Sequence, residues 1–270
     1  MRRSRGHGLA LVLLGLFQAL SSTLAAEGAP EAFDVVVVDA GHGGDDDGAQ
    51  GRGGLVEKVV VLDVAKRVER ELKKAGLQVV MTRRGDQFVP LEGRTELANA
   101  AAADLFISIH ANASSYKGAR GIETFFAAPE ATDQAALELA RAENLAFGKD
   151  AQPPAAGDPL LAILGDMAAT EQLTLSQEFA RMAQHRIATA EVARSRGVKQ
   201  APFVVLMGVH MPAVLVEIGF LTHPEDEAAL RDDDERERLA KGIAEAVAVY
   251  RERYDARRGV AQGLGKTHIR

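Results

Sequence analysis

Two histidines and two glutamates stand at the edges of strongly hydrophobic segments of this chain. They are His42 in VVVVDAGHGG, Glu57 in GGLVEK, His110 in DLFISIHANA and Glu217 in PAVLVEIGF. Polar side chains in such settings are costly to remove from water unless they have partners. One Zn²⁺ ion would accept three of them as ligands and leave the fourth to act as an acid or base. The chain has no cysteine, so histidines and carboxylates are its available metal ligands. The four residues therefore predict a metallohydrolase.

Taken singly, each of these residues also has an ordinary structural explanation. Glu57 could complement a helix dipole, His110 could be a core histidine bonded to the backbone, and His42 could lie among glycines in a loop. Glu217 is the hardest to explain in this way, because an unpaired buried carboxylate would take up a proton. A shared site accounts for all four residues at once.

Alternating apolar runs and amphipathic segments predict the elements that position these residues. Four consecutive valines within 34–39 indicate a buried strand, and residues 55–74 repeat apolar side chains at helical spacing. Further strands are predicted at 77–81, 104–109, 121–126, 201–209 and 213–217, and further helices at 91–103, 132–147, 160–169, 173–192, 224–230 and 235–254. We therefore predict an α/β fold of the phosphorylase/hydrolase-like kind, with three α/β/α layers and a mostly parallel or mixed central sheet of about six strands.

In this fold, three of the four residues stand at the ends of strands. His42 follows the first strand, His110 ends the third and Glu217 ends the last. Ligands of open α/β sheets gather beyond the carboxyl ends of the strands. Glu57 lies in the first turn of a helix, on its apolar face, and a helix that follows a strand begins at the same edge. All four side chains are therefore expected to meet.

Composition and the start of the chain indicate where the protein works. The chain has 270 residues and a net charge of −6, which allows one large domain and offers no basic face for nucleic acid. Residues 1–26 combine a basic start, an apolar run and small residues, a pattern typical of a cleavable signal peptide. The apolar run itself is shorter than the ~20 residues that a membrane anchor needs. Arg2-Arg3 partly matches a twin-arginine signal. We expect an exported, periplasmic protein with no transmembrane anchor after signal removal.

Sequence pattern also divides the mature chain into parts. A catalytic domain is expected at 33–254, a regulatory helical insertion within it at 127–172, and a disordered tail at 255–270, where periodicity is lost. The three aspartates at 45–47 lack the spaced ligands of a calcium loop and are interpreted as a solvated turn. We expect the protein to be a monomer.

A series of motifs runs in order from Val35 to Tyr250. It comprises DAGHGGDDDGAQG, the Glu57-Lys58 pair, VMTR, LEGR, ADLFISIHANA, RGIETFF, RGVKQAPFVVL and PAVLVEIGFLTHPEDE. This ordered set resembles the zinc-dependent N-acetylmuramoyl-L-alanine amidases of bacterial cell walls, the amidase-3 family. The family usually has proline where this chain has Ala40 and Ser-Asn where it has Thr222-His223, and neither difference touches a ligand position.

The resemblance implies a role for each of the four residues. His42, Glu57 and His110 would bind one Zn²⁺ per chain, and Glu217 would be the catalytic carboxylate. The bond cut would be the amide between the lactyl group of N-acetylmuramic acid and L-alanine in peptidoglycan, for cell-wall remodelling and daughter-cell separation. Asn112, just beyond the His110 strand, would orient the substrate or the zinc shell.

The resemblance also implies a function for the insertion. Members that act in cell division carry an inserted helix that covers the zinc until an activator with a LytM-type domain displaces it. The segment around Arg141–Asn144 is similar to that insertion. Glu143 is then expected to reach the zinc in a closed state and to occupy the open coordination position. The alternative is a solvated charge on the helix surface.

Two other functions fit the same residues. A zinc carboxypeptidase-like wall peptidase would need a pocket for a free carboxylate, which Arg83 and Arg94 could supply. A catalytically silent wall-binding protein is the other alternative. It would not explain why the chain has all four residues of the predicted site. Release of whole stem peptides from sacculi, loss of terminal D-alanine alone, or no hydrolysis distinguishes the three functions.

Overall fold

The computed structural model describes residues 32–146, 167–190 and 194–260, and the contacts discussed below belong to a compact unit, Phe33–Tyr254. Within these ranges there are six strands: β1 (Val35–Ala40), β2 (Gln78–Met81), β3 (Leu105–Asn112), β4 (Ile122–Ala127), β5 (Ser195–Ala201) and β6 (Ala213–Phe220). Seven helices accompany them: α1 (Glu57–Lys74), α2 (Leu91–Ala100), α3 (Gln134–Ala146), α4 (Met167–Thr189), α5 (Val204–Met207), α6 (Pro224–Arg231) and α7 (Asp233–Arg258).

The strands form one mixed sheet in the order β2-β1-β3-β6-β4-β5. The first four run parallel to one another, whereas β4 is antiparallel to β6 and parallel to β5. The carboxyl ends of β1, β3 and β6 therefore meet at one edge of the sheet, where the reversed strand β4 begins. The predicted α/β fold with a mixed six-stranded sheet is confirmed.

Helices cover both faces of the sheet. One buried apolar cluster joins the strands to α1, α4 and α7, and the other joins them to α2, α3 and α5. Successive strand residues point to opposite faces, so the central strands β1, β3 and β6 contribute apolar side chains to both clusters and are rich in hydrophobic residues. The same alternation places His110 and Glu217 on the face of Phe106 and Leu215, beneath α2, α3 and α5.

The prediction of a strand at 201–209 is wrong. The edge strand β5 is Ser195–Ala201, and Val204–Met207 form the short buried helix α5. β5 is half-buried and carries basic and polar side chains, as edge strands often do, so its sequence lacks an apolar signal. A short apolar run such as the one after Pro202 does not distinguish a strand from a buried helical turn by periodicity.

Other predicted bounds differ at the ends of elements or lie outside the described residues. α7 extends to Arg258, so the first residues of the predicted disordered tail are helical. α4 begins at Met167, earlier than the predicted helix at 173–192. The predicted signal peptide at 1–26, part of the insertion (147–166) and residues 261–270 lie outside the described ranges. In the part of the chain that the structure describes, no helix is both long and apolar enough to cross a membrane.

Glu227 on α6 binds the backbone of the glycine-rich loop between β1 and α1. Its carboxylate accepts hydrogen bonds from the backbone N–H groups of Gly53 at 2.9 Å and Leu55 at 3.3 Å, and it pairs with Arg231 at 3.0 Å. Burial alone would raise the pKa of Glu227, but the Gly53 N–H and Arg231 hold this pKa below its usual range. The ionised carboxylate therefore stabilises the loop that leads into α1.

We expect Glu227→Gln to lower the free energy of unfolding at pH 7 by about 1.5–3 kcal/mol, the usual contribution of hydrogen bonds to a charged group. Because the folded-state pKa of Glu227 is lowered, this stability is present above the unfolded-state value of about 4.3 and is lost as pH falls through the folded-state value. Urea unfolding at about pH 7 and pH 3 measures the difference. Glu252→Gln, on an exposed part of α7, is the control. An equal loss at both pH values would contradict the prediction.

Candidate metal centre

The side chains of His42, Glu57, His110 and Glu143 converge at the carboxyl edge of β1 and β3. One ligand atom from each lies within 4.8 Å of the other three. The His42 Nε2 and His110 Nδ1 atoms are 3.0 and 3.2 Å from Glu57 Oε1. The same two nitrogens are 3.4 and 3.1 Å from Glu143 Oε2. The three predicted ligands thus lie together with the residue expected to cover them.

These separations match those of ligand atoms around one tetrahedral zinc ion. Ligand bonds of about 2.0–2.1 Å place neighbouring ligand atoms about 3.3 Å apart. Imidazole nitrogens and carboxylate oxygens are also ligands that zinc accepts. Glu143 Oε2 is buried and accepts no hydrogen bond from any described residue, as expected of an atom directed at a cation. The four side chains therefore fit one Zn²⁺.

His42 belongs to a loop whose backbone is unusual. Its φ angle is 58°, in the left-handed region that residues other than glycine rarely adopt. Its Nδ1 atom lies 2.8 Å from Asp46 Oδ2, and such a carboxylate partner fixes the tautomer and orientation of a metal-binding histidine. The interpretation of 45–47 as a solvated turn is therefore wrong for Asp46. The spacing His-x-x-x-Asp within a glycine-rich loop is the signal that could have found this contact.

Two glycines leave room for the side chains of the site. A Cβ atom at Gly41 would lie 2.4 Å from His110 Cε1, and one at Gly48 would lie 2.6 Å from Glu57 Oε2. Gly48 also has a φ of +65°. The glycines of this segment indicate a loop, and the structure shows that two of them are needed for close approach to the site.

Glu57 is the first residue of α1 and is buried on the face predicted for it. Its two carboxylate oxygens accept hydrogen bonds from the N–H groups of Ala49 at 2.8 Å and Ala111 at 2.9 Å. Burial alone would raise the pKa of Glu57, but His42 and His110 hold it far below its usual range.

The two histidines are shifted in the opposite direction. Burial alone would lower the pKa of His42, but the Glu57 carboxylate and the hydrogen bond with Asp46 raise it to about 10. Burial also disfavours the charged form of His110, yet Glu143 and Glu57 raise its pKa well above its usual range. Carboxylates and imidazoles thus neutralise one another in this buried cluster.

Glu217 lies beside this cluster on β6, where its Cα is in register with that of His110 on β3. The side chain is 0% exposed, and neither carboxylate oxygen has a hydrogen-bond partner among the described residues. Burial raises the pKa of Glu217 well above its usual range; the charge of His110 opposes this rise, and Glu57 adds to it. A carboxyl group of this kind can hold a proton and release it.

Asn112 ends β3 after a local irregularity in its pairing with β6. It lines an open groove of about 350 Å³ next to the centre, together with Tyr116 and Arg196. Contact of Asn112 with the substrate or the zinc shell stays a prediction.

Arg83 and Arg94 provide no pocket for a free carboxylate. Both side chains are buried and bind backbone carbonyl groups, and Arg94 also pairs with Asp39 at 2.6 Å. The carboxypeptidase-like function is therefore left without the two arginines that could have bound a free carboxylate.

The helix α3 holds Glu143 in place through contacts at both of its ends. Asp133 caps its N-terminus with a hydrogen bond of 2.8 Å. Near its other end, the buried amide of Asn144 donates to the carbonyl of Pro202 at 3.0 Å and accepts from the N–H of Val204 at 2.9 Å. The side chain of Glu143 is 14% exposed and contacts both imidazoles, so it is not a solvated surface charge.

Comparison with known proteins agrees with this geometry. Residues 36–249 match the family model of the amidase-3 family, described as N-acetylmuramoyl-L-alanine amidase. The chain belongs to the N-acetylmuramoyl-L-alanine amidase family. This amidase is 37% identical over 253 residues to N-acetylmuramoyl-L-alanine amidase AmiA of Escherichia coli K12, which covers 89% of this chain and 88% of that protein.

More distant family members share the amidase domain or its fold. N-acetylmuramoyl-L-alanine amidase LytC of Bacillus subtilis 168 is 34% identical to this amidase, over 82% of this chain and 36% of that protein. The crystal structure of N-acetylmuramoyl-L-alanine amidase from Clostridium difficile 630 has a TM-score of 0.63 and 29% identity, over 82% of this chain and 98% of that one. The predicted family and enzyme class are confirmed.

Proposed function

We propose that this amidase is zinc-dependent and cuts the amide bond between the lactyl group of N-acetylmuramic acid and L-alanine of peptidoglycan, with His42, Glu57 and His110 as the zinc ligands. One observation carries the proposal: two imidazoles and two carboxylates offer ligand atoms within 4.8 Å of one another, at the ligand-binding edge of the sheet. Family membership supports peptidoglycan as the substrate.

The surrounding residues support a division of labour at this centre. When bound, Zn²⁺ would polarise the scissile carbonyl and acidify the attacking water. Asp46 holds Nδ1 of His42, so that Nε2 faces the other ligands. The N–H of Ala49 binds Oε2 of Glu57, and Oε1, which also accepts a hydrogen bond from Ala111, is directed at the two imidazoles.

Glu217 performs the proton transfers. Its carboxylate takes the proton of the attacking water and passes it to the leaving amine nitrogen. Its burial supports this role, because a carboxyl group removed from water exchanges protons with the reacting groups rather than with solvent. Its lack of hydrogen bonds within the described residues leaves both oxygens available.

Digestion of purified sacculi by the zinc-loaded protein tests this function. We expect intact stem peptides in solution, no release after chelation, and recovery when zinc is restored. Release of terminal D-alanine alone would replace the amidase with a carboxypeptidase-like wall peptidase. A silent wall-binding protein would bind sacculi without any hydrolysis, and the Glu143→Ala variant would not hydrolyse them either.

We propose that the described conformation is a closed state, in which Glu143 takes the fourth ligand position. Its Oε2 atom lies 3.4 and 3.1 Å from the nitrogens of His42 and His110, a place that a substrate carbonyl would need. An activator with a LytM-type domain would then displace α3. The anchoring of α3 by Asn144 supports this view, because the helix would have to be moved before substrate could bind.

Glu143→Ala is expected to raise basal stem-peptide release by about 10- to 100-fold, since a hydrogen bond or ion contact of a charged group contributes about 1.5–3 kcal/mol. The initial rate of release from sacculi, without any added partner, measures the change. Glu138→Ala removes an exposed carboxylate from the same helix and is the matched control. An unchanged basal rate in a variant that still binds zinc would contradict the closed state.

We also propose export to the periplasm, directed by residues 1–26, with daughter-cell separation as the process served and the monomer as the active form. The basic and apolar pattern of those residues supports export, and the Arg2-Arg3 pair favours the twin-arginine route. Fractionation of cells that carry Arg2-Arg3→Lys-Lys tests the route. Unchanged export would leave the general secretory route.

A further inference from the structure

Two arginines are buried beneath the loop that carries His42. Arg83 is 1% exposed and Arg94 is 0% exposed. Arg83 donates hydrogen bonds to the carbonyl oxygens of Ala40 at 2.9 Å and Gly41 at 2.7 Å. Arg94 donates to those of Ala40 at 2.7 Å and His42 at 2.9 Å. Two guanidinium groups thus bind three consecutive carbonyls, those of Ala40, Gly41 and His42.

Arg83 also connects this loop to the start of α1. The nitrogen that binds Gly41 donates a second hydrogen bond to the carbonyl of Lys58 at 2.7 Å. Lys58 directly follows Glu57 in the sequence. One guanidinium group therefore sets the distance between the backbone of the His42 loop and the backbone next to Glu57.

Arg94 connects the same loop to β3 through a buried carboxylate. It pairs with Asp39 Oδ1 at 2.6 Å, and Asp39 Oδ2 accepts a hydrogen bond from the hydroxyl of Ser108 at 2.7 Å. Ser108 lies two residues before His110 and on the same face of the strand. The chain of contacts thus runs from the carbonyl of His42 to the strand that presents His110.

We infer that Arg83 and Arg94 are positioning residues that set the spacing of His42, Glu57 and His110 for a metal ion. The left-handed backbone of His42, with φ at 58°, supports this inference. Such a conformation is strained and persists only where surrounding contacts determine it. The inference rests on the proposed zinc site and adds residues that touch neither zinc nor substrate.

The geometry requires arginine at both positions, because Arg94 also donates to separated acceptors, the carbonyls of Val89, Ala40 and His42. Arg83 uses its planar group to reach the carbonyls of Ala40, Gly41, Gly85 and Lys58 at the same time. Lysine carries a single ammonium group with three donors, which keeps the charge but does not span four separated acceptors. Exchange for lysine therefore separates the role of geometry from the role of charge.

Zinc binding by Arg83→Lys and Arg94→Lys tests the inference. We expect zinc affinity, measured by competition with a chromogenic chelator, to fall about 10- to 100-fold, as it does when residues that orient metal ligands are lost. The absorption bands of the Co²⁺-loaded proteins should change as well, because they report ligand geometry. Arg67→Lys is the matched control, since Arg67 pairs with Asp63 on α1 and with two carboxylates of α7, and with none of the residues of the centre.

Thermal midpoints of the metal-free proteins separate positioning from general stability. Val247→Ala, in the buried part of α7, supplies a destabilised protein with unaltered contacts at the centre. We expect it to bind zinc as tightly as the wild type. Should Arg94→Lys fail to fold, Ser108→Ala removes one contact of Asp39 and is expected to weaken zinc binding by a smaller factor.

The outcomes distinguish this inference from the proposed function. Wild-type zinc affinity and Co²⁺ bands in both lysine variants would overturn the inference and leave the zinc site intact. An equal loss of affinity in Val247→Ala would overturn it too, because lower stability would explain the effect. Absence of zinc binding by the wild type would overturn the proposed metal site and the inference with it.

Discussion

Glu217→Gln is expected to slow stem-peptide release from sacculi by about 10²- to 10⁴-fold, the range that a positioned general acid–base contributes. The amide keeps the size of the side chain and removes its capacity to carry the proton between water and the leaving amine. Glu217 is not one of the converging ligand groups. Zinc affinity should therefore stay within a few-fold of the wild-type value.

Stability gives an independent check on this substitution. The carboxyl group is fully buried, has no hydrogen-bond partner within the described residues, and has a raised pKa, so it contributes no ion pair that glutamine would remove. We expect an unchanged or higher thermal midpoint. Glu69→Gln on α1 is the control, because Glu69 is also buried but pairs with Arg84 and Lys73 away from the centre. Normal hydrolysis by Glu217→Gln would remove the catalytic assignment.

His110→Ala is expected to abolish zinc binding at micromolar metal and to reduce hydrolysis to background. Loss of a residue that only orients a ligand costs about 10–100-fold in metal affinity, and loss of a ligand should cost more. Zinc that binds only the folded state, at a free concentration of about a thousand times its dissociation constant, stabilises the protein by about 4.1 kcal/mol. The rise in thermal midpoint that zinc gives the wild type should therefore disappear in the variant.

A histidine outside the centre provides the control for this experiment. His185 lies on an exposed part of α4, and His185→Ala should retain both zinc binding and activity. Since His110 packs against Gly41, its removal leaves a gap, and His42→Ala is the second variant if His110→Ala does not fold. Wild-type zinc content in both histidine variants would show that the metal is bound elsewhere.

The convergence of His42, Glu57 and His110, with Glu217 next to them on β6, could be predicted because strand ends and helix starts obey general rules. Parallel strands bring their carboxyl ends to one edge, and a helix that follows a strand begins there. These rules need only the order of elements and the faces of their side chains. The error at 201–209 did not disturb them, since neither β5 nor α5 carries one of the four residues.

Other parts of the centre depend on tertiary contacts that periodicity does not contain. Asp46 reaches His42 because the loop turns through a left-handed residue. Glu143 reaches the imidazoles because Asn144 ties α3 to the backbone on both sides of Phe203. Buried arginines are also difficult to predict, because charged side chains are mostly exposed and sequence gives no sign of the exceptions.

The place of β6 in the sheet has a consequence for incomplete copies of the chain. β6 is the last strand in the described part of the sequence, yet it lies between β3 and β4 in the middle of the sheet. A polypeptide that stops before Ala213 contains every proposed zinc ligand but leaves the edge of β3 unpaired and lacks Glu217. Premature termination or early proteolysis would therefore produce fragments that are unable to cut the wall. Wall-degrading activity would be confined to molecules in which β6 has completed the sheet.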